Sequence, residues 1–272
     1  MNYDKLIHIA TYAGKVMLEN GAEIYRVEDT INRICSAYGA NMTDSFATPT
    51  GIMVSIYSGN EVSSVIKRIK TSTVNLNKVA KINDLSRQIQ INLITLDELY
   101  YEIKKIESEK PYRNRLVIPF ASLTAASFSL MFGGNFNDFL VALLSGFIIK
   151  TLQVIFNKHS INSFFTNYIC GALATLISIF FYTINFISTI HFSVIGTIML
   201  LVPGLAITNA TRDIIAGDFL AGITKAAEAF LVAIAIAAGS GSILSLFINT
   251  VGGLSIWLKY FWLLLFHHLD TV

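Results

Sequence analysis

Hydrophobic positions recur along this chain with three different periods. Residues 2–18 (NYDKLIHIATYAGKVML) carry Ile7, Ala10, Ala13 and Met17 at helical spacing, and Asn20-Gly21 ends the run. A second helix is predicted from about Ala22 to Tyr38, with its stripe at Ile24, Val27, Ile31, Ile34 and Cys35 and with Gly39 as the residue past its end. The period then shortens. Gly51–Tyr57 reads as a strand, Ser58-Gly59-Asn60 as a turn, and Val62–Lys70 as a partner strand carrying Val65, Ile66 and Ile69. A shorter strand is predicted at Met42–Ala47, ahead of the Thr48-Pro49-Thr50 turn. Helical spacing returns over 74–92 (Val74, Val79, Ile82, Leu85, Ile89). It returns again over Thr95–Ser108, where Thr95 and Glu98 form a capping box.

Beyond Tyr112 the pattern changes from periodic to continuous. Apolar stretches cover about 115–132, 138–156, 164–184, 190–208 and 219–239, each near the ~20 residues that cross ~30 Å of hydrocarbon. A further stretch, Leu254–Phe266, is short and interrupted by Lys259; with Trp257, Tyr260 and Trp262 it reads as interfacial or re-entrant. The expected architecture is an α-helical membrane protein of about five transmembrane helices, preceded by a small α+β cytoplasmic domain of order ααβββαα. The expected boundaries are 1–112 for the cytoplasmic domain, 113–250 for the transmembrane domain and 251–272 for an apolar tail.

Charge sharpens this division. The first 115 of 272 residues hold 15 of 20 Lys/Arg and 13 of 18 Asp/Glu. The basic run Lys104, Lys105, Lys110, Arg113 and Arg115 precedes the first span, and Lys158 and Arg212 fall in alternate loops, so the positive-inside rule predicts a cytoplasmic N-terminus. Residues 1–20 lack the apolar core of a signal peptide. A net charge of +2 without a clustered basic face argues against nucleic-acid binding. Cys35 and Cys170 fall in different halves and read as buried free thiols.

No G-x-S-x-G, P-loop, H-E-x-x-H or C-x-x-C pattern is present, and the five histidines make no ligand set. No cofactor or metal is expected. In Gly21–Glu28, Glu23 and Glu28 flank the apolar stripe, and Glu23 can pair with Arg26 three residues on. A solvated helix start would show the same pattern. The hydroxyls of Thr48 and Thr50 could approach this helix, although Thr-Pro-Thr is also ordinary turn chemistry. Pro203-Gly204 interrupts the fourth span, as a simple kink or as the broken helix that transporters use to build binding sites. Thr208, Asn209, Arg212, Asp213 and Asp218 follow, then Lys225 and Glu228 in the first turns of the fifth span. Arg212 and Asp213 read either as a loop pair or as functional charges at membrane depth; Lys225 and Glu228 read either as an intrahelical pair or in the same functional role. Gly222, Ala226, Ala229, Ala233 and Ala237 form a stripe for close helix packing.

The G-A-E-x-x-R-V-E block (Gly21–Glu28), the T-P-T turn (Thr48–Thr50) and P-G-x-x-x-T-N-x-x-R-D-x-x-x-G-D-x-x-x-G (Pro203–Gly222) resemble the bacterial threonine/serine exporter family. The resemblance covers almost the whole chain. It implies ion-driven export of small polar metabolites (threonine, serine, or a dicarboxylate such as succinate) across the bacterial inner membrane. It also implies the larger subunit of a split pair, with a second small membrane subunit and an oligomeric assembly in the bilayer. Glu23, Arg26 and Glu28 match the family's cytoplasmic motif. Pro203, Gly204, Thr208, Asn209, Arg212, Asp213 and Asp218 match its membrane motif. On this reading Asp213 or Glu228 couples a proton, and Arg212 or Lys225 recognises a substrate carboxylate. A membrane-anchored enzyme using Glu23, Glu28 and Thr50, or a metabolite sensor, stands as the alternative.

Overall fold

The computed structural model describes residues 2–40, 42–58, 61–70 and 73–251. Leu254–Phe266 with its aromatic belt, and the Gly59-Asn60 turn, lie outside the described residues. Two compact units are present, Met1–Pro111 with Gly204–Glu228, and Tyr112–Pro203 with the chain from Ala229 onward. Residues 204–228, apolar enough to read as parts of two spans, thus belong to the first unit.

The first unit opens with α1 (Tyr3–Glu19) and α2 (Ile24–Ala37), followed by β1 (Met42–Thr48), β2 (Gly51–Ser58) and β3 (Glu61–Arg68), then α3 (Leu76–Ile91) and α4 (Leu96–Glu107). The order is the expected ααβββαα. The strands form an antiparallel meander β1-β2-β3, with Ala47 opposite Ile52 and Val54 opposite Val65. Ile52, Val54 and Ile56 turn inward onto α1, as the two-residue strand period requires, whereas Met53 and Ile66 on the other face are exposed. Ile66 therefore does not join the core with Val65 and Ile69.

α1 is the central element and packs against α2, the sheet, α3 and α4. Its expected stripe of Ile7, Ala10, Ala13 and Met17 is buried, and so are Leu6, Ile9 and Val16. Gly14 lets α2 approach: a Cβ there would meet Ile31 Cδ1 at 2.6 Å. The predicted α2 stripe is buried throughout. Gly39 sits past the end of α2 at φ +81°, a conformation that favours glycine. The Thr95–Glu98 capping box is present at the start of α4. Val74 lies ahead of α3, whose N-cap is Asn75, and is exposed.

The second unit contains α5 (Asn114–Met131), α6 (Phe136–Lys158), α7 (Ser163–Thr183) and α8 (His191–Ile198). The fourth apolar stretch is not one helix. α8 ends by Met199, and α9 (Gly204–Ala216) begins only after Val202-Pro203. Proline has no N–H to continue the ladder and biases the residue before it away from helix. The last helix, α10 (Phe219–Val251), has 33 residues and runs well past the expected end near 239. The boundary between the two units falls inside it, at Glu228/Ala229.

Among the described residues three helices are long and apolar enough to cross a membrane: Phe136–Lys158, Ser163–Thr183 and Phe219–Asn249. The small-residue stripe predicted for the fifth span is not a single packing face. Gly222 packs on α9, against Ala210 and Ile214, and Ala229 is buried, but Ala226, Ala233 and Ala237 are exposed. The close approach in the second unit uses another face of α10: Gly171 of α7 lies against Ile236, and Gly239 lies against the Tyr168 carbonyl. Cys35 and Cys170 are free and buried, as expected.

Candidate functional site

α2 begins at a weak cap. Its N-cap residue is Glu23, whose side chain makes no capping bond, and glutamate is not among the good N-cap residues. The first N–H groups of a helix need acceptors, and here one comes from far along the chain. The Ile24 N–H donates to Asp213 Oδ1 at 3.1 Å. Asp213 is fully buried, and its other oxygen accepts from Lys225 Nζ at 2.7 Å. One carboxylate thus caps α2 and neutralises a lysine of α10.

Glu23, released from capping, is buried and bridges two guanidiniums. Arg26 donates to Oε2 at 3.1 Å, and Arg212 donates to Oε1 at 2.7 Å. Burial pushes the Glu23 carboxyl up, but hydrogen bonds from its own backbone N–H, Arg26 and Arg212 outweigh this and hold it below its ordinary value. The two arginines remain open to solvent, with side chains 37% and 56% exposed. Each guanidinium has five donors and spends few of them on Glu23.

Asn209 completes the junction by donating from Nδ2 to the Gly21 carbonyl at 2.9 Å. Gly21 stands at φ +91°, which lets α1 turn into α2 without strain. α9 closes with a Schellman turn: Gly217 (φ +97°) donates to Ile214 O, and Asp218 donates from its backbone to Asp213 O at 2.8 Å. Glu28, two residues beyond Arg26 on α2, accepts from the Ala47 N–H at 2.7 Å and so ties α2 to β1. Burial raises the Glu28 carboxyl and the Asp218 charge adds to this, against the Ala47 bond. Asp218 is itself raised by burial and by Asp213, with Lys225 opposing. Of these four carboxylates, Glu23 and Asp213 pair with the three cations, Asp218 feels Lys225, and Glu28 has only the Ala47 N–H among the described residues.

The structure thus gathers Glu23, Arg26, Glu28, Asn209, Arg212, Asp213, Asp218 and Lys225. It does not gather the rest. Thr208 Oγ1 donates back to the Gly204 carbonyl on an exposed face. Thr48 donates to the Gly51 carbonyl and lies within hydrogen-bond reach of the Thr50 hydroxyl, so both do turn chemistry. Pro203 and Gly204 open α9 and make no side-chain contribution to the cluster. Arg212 and Asp213 are helical and pair with Glu23 and Lys225, not with each other in a loop. Lys225 pairs with Asp213, not with Glu228, which is exposed and forms no ion pair among the described residues. The one signal that could have pointed to the Asp213 cap is the poor N-cap residue of α2.

No candidate metal centre of three or more His, Cys, Asp or Glu residues is found among the described residues. Apolar helices of membrane-crossing length, joined to an α+β unit with a charge cluster, mark the class as a helical membrane protein. The chain belongs to the threonine/serine exporter family: the family profile described as "Putative threonine/serine exporter" matches residues 8–247. It is 22% identical over 240 residues to a "Probable threonine/serine exporter" of Mycobacterium tuberculosis, covering 86% of this chain and 45% of that protein. Against the "Threonine/serine exporter" of Corynebacterium glutamicum it is 22% identical, covering 87% of this chain and 50% of that protein. Against the "Probable succinate transporter subunit YjjP" of Klebsiella aerogenes it is 20% identical, covering 82% of this chain and 86% of that protein. The chain thus spans about half the length of the threonine/serine exporters and most of the length of the succinate transporter subunit. No solved structure matches it.

Proposed function

We propose that this chain is the larger subunit of a two-protein exporter for small polar metabolites that carry a carboxylate, with threonine, serine and succinate as the candidate cargo. The observation that carries the reading is the Glu23–Arg212 pair, in which the family's two motifs meet on a pair of half-open guanidiniums. A planar carboxylate can take the donors that Glu23 leaves unused, or compete with Glu23 for them. Of the two cations weighed for this role, Lys225 is engaged by buried Asp213, whereas Arg212 faces solvent. Arg212, with Arg26, is therefore the recognition group.

Of the two carboxylates weighed for ion coupling, Asp213 has the fitting position. Protonating it would weaken its hold on Lys225 and on the α2 cap together, whereas protonating exposed Glu228 would disturb no pair. Export would be driven by an ion gradient across the bacterial inner membrane. The α+β unit, α9 included, would lie in the cytoplasm, and about five membrane segments would be made, α5 and the α8 segment ahead of Pro203 adding to the three long helices. The second membrane subunit is expected because the chain matches a protein named as a transporter subunit over most of its length.

The test is efflux of threonine, serine and succinate from preloaded cells, with this chain alone and with its small membrane partner. Efflux that needs both proteins and is lost in Arg212→Gln supports the reading. Full efflux in Arg212→Gln and Arg26→Gln would remove the recognition role. No efflux of any of the three with both proteins in the membrane would remove the exporter reading.

A further inference from the structure

The second unit buries a carboxylate that the reading above does not use. Asp138 is 2% exposed, on the face of α6 that also carries Val141, Ala142, Ser145 and Gly146. One of its oxygens has a local partner: Oδ2 accepts the Asn135 N–H at 2.9 Å in a capping box. The other, Oδ1, is buried with no hydrogen-bond partner among the described residues. Asp138 forms no ion pair among the described residues. The lysines of its own helix, Lys150 and Lys158, lie three or more turns away, at least ~18 Å along the axis.

A second oxygen is orphaned at the same level of the α5–α6 hairpin. The Ser129 hydroxyl is fully buried and has no partner among the described residues. Of the six hydroxyls on α5 and α6, three bond back to a carbonyl one turn earlier, Thr124 to Phe120, Ser127 to Leu123 and Thr151 to Phe147; Ser122 donates to the Leu143 carbonyl, and Ser145 shares with Ser129 the lack of a partner among the described residues. Ser129 makes no such bond. Its counterpart carbonyl on Ala125 lies where α8 comes closest, 2.6 Å from a Cβ built on Gly196. Ser129 and Asp138 are joined through the hairpin turn. Gly134 donates to the Ser129 carbonyl at 2.9 Å, and the next residue, Asn135, donates to Asp138. A Cβ at Gly134 would stand 2.9 Å from Ser129 Oγ, so this glycine keeps the space beside the hydroxyl clear.

An ionised carboxylate out of water needs compensation. The start of α6 supplies part of it, since a helix N-terminus carries about half a positive charge. About half a negative charge is left, with an orphan carboxylate oxygen at the start of α6 and an orphan hydroxyl at the other side of the hairpin turn. We propose that Asp138 and Ser129 form a site for one small hard monovalent cation, with oxygen ligands from Asp138 Oδ1, Ser129 Oγ and the carbonyls of the Gly133–Asn135 turn. A single carboxylate matches a single charge. This site is separate from the Glu23–Arg212 cluster and does not depend on the exporter reading.

The test is binding of radiolabelled sodium to the purified full-length chain in detergent, at fixed ionic strength and pH with choline as the balancing cation. Saturable binding of one sodium per chain is expected, together with a sodium-dependent rise in melting temperature. Asp138→Asn keeps the cap acceptor and the volume but removes the charge; it should weaken binding on the order of 10- to 100-fold and abolish the melting shift. Ser129→Ala should weaken binding several-fold while the capping box stays intact. Wild-type protein that binds no sodium overturns the proposal, whatever the variants do. A melting temperature that depends on pH through Asp138 but not on sodium would assign the site to a proton and also overturn it. Unchanged sodium binding in Asp138→Asn would place the ion elsewhere. Binding needs no flux, so this experiment can fail while the efflux experiment succeeds, and the reverse.

Discussion

Arg212 and Glu23 stand 189 positions apart in the chain and 2.7 Å apart in space. The contact is lopsided, because Glu23 is buried while Arg212 is more than half exposed. The two ends of the pair should therefore respond differently to mutation. Arg212→Ala should cost about 0–1 kcal/mol of stability, as exposed pairs do. Glu23→Gln removes the shared acceptor of two arginines at a buried point and should cost about 1–3 kcal/mol. Thermal unfolding of the full chain in detergent checks the order; equal costs would contradict the asymmetry.

Asp213 and Lys225 form the buried half of the cluster. Losing one member of a buried pair typically costs ~3–5 kcal/mol, because it strands the other charge. Lys225→Met should therefore destabilise strongly. Asp213→Asn should do so less, since its amide oxygen can still accept from Ile24. The double variant should recover part of the loss, giving a positive coupling in a double-mutant cycle. Strictly additive losses would mean that the two do not interact.

Glu23 and Glu28 should give pH dependence of opposite sign. Glu23 is held below its ordinary value, so its stabilisation is complete above the unfolded value of ~4.3 and is lost as pH falls through the lower folded value. Glu28 is raised in the folded state, so a cost builds as pH rises from ~4.3 through the higher folded value. Glu28→Gln keeps an acceptor for the Ala47 N–H and removes that cost. Its melting temperature should equal or exceed that of the parent at pH 7–8, and the difference should vanish below about pH 4. A Glu28→Gln variant that is less stable at neutral pH would overturn the sign.

Gly239 and Gly171 set the approach of α10 to α7. A side chain at Gly239 would run into the Tyr168 carbonyl, and one at Gly171 into the Ile236 carbonyl at 2.6 Å. Backbone cannot yield as a flexible side chain can, so Gly239→Val should destabilise by about 1–3 kcal/mol or more. Ala237→Val, on an exposed position of the same helix, should be tolerated. Yields of folded, membrane-inserted protein for the two variants make the comparison.

Much of this protein was fixed by local pattern. The ααβββαα order, the buried stripes of α1 and α2, the capping box on Thr95 and the turn at Gly39 follow from periodicity, caps and glycine chemistry, which act over a few residues. The Glu23–Arg26 pair was also within reach, being one helical turn long. Hydropathy marked where the chain is apolar but could not tell a crossing helix from a broken one. Both α8–α9 and the start of α10 are apolar, yet residues 204–228 belong with the α+β unit. Partnership, by contrast, depends on long-range packing. Arg212 with Asp213, and Lys225 with Glu228, are plausible neighbours by spacing. Arg212 instead pairs with Glu23 and Lys225 with Asp213, Glu228 forming no ion pair among the described residues, because a weak cap on α2 left an N–H that the buried Asp213 carboxylate could satisfy. The orphan oxygens of Asp138 and Ser129 are likewise set by what packs around them: burial removes water from a polar atom only after the helices have closed over it.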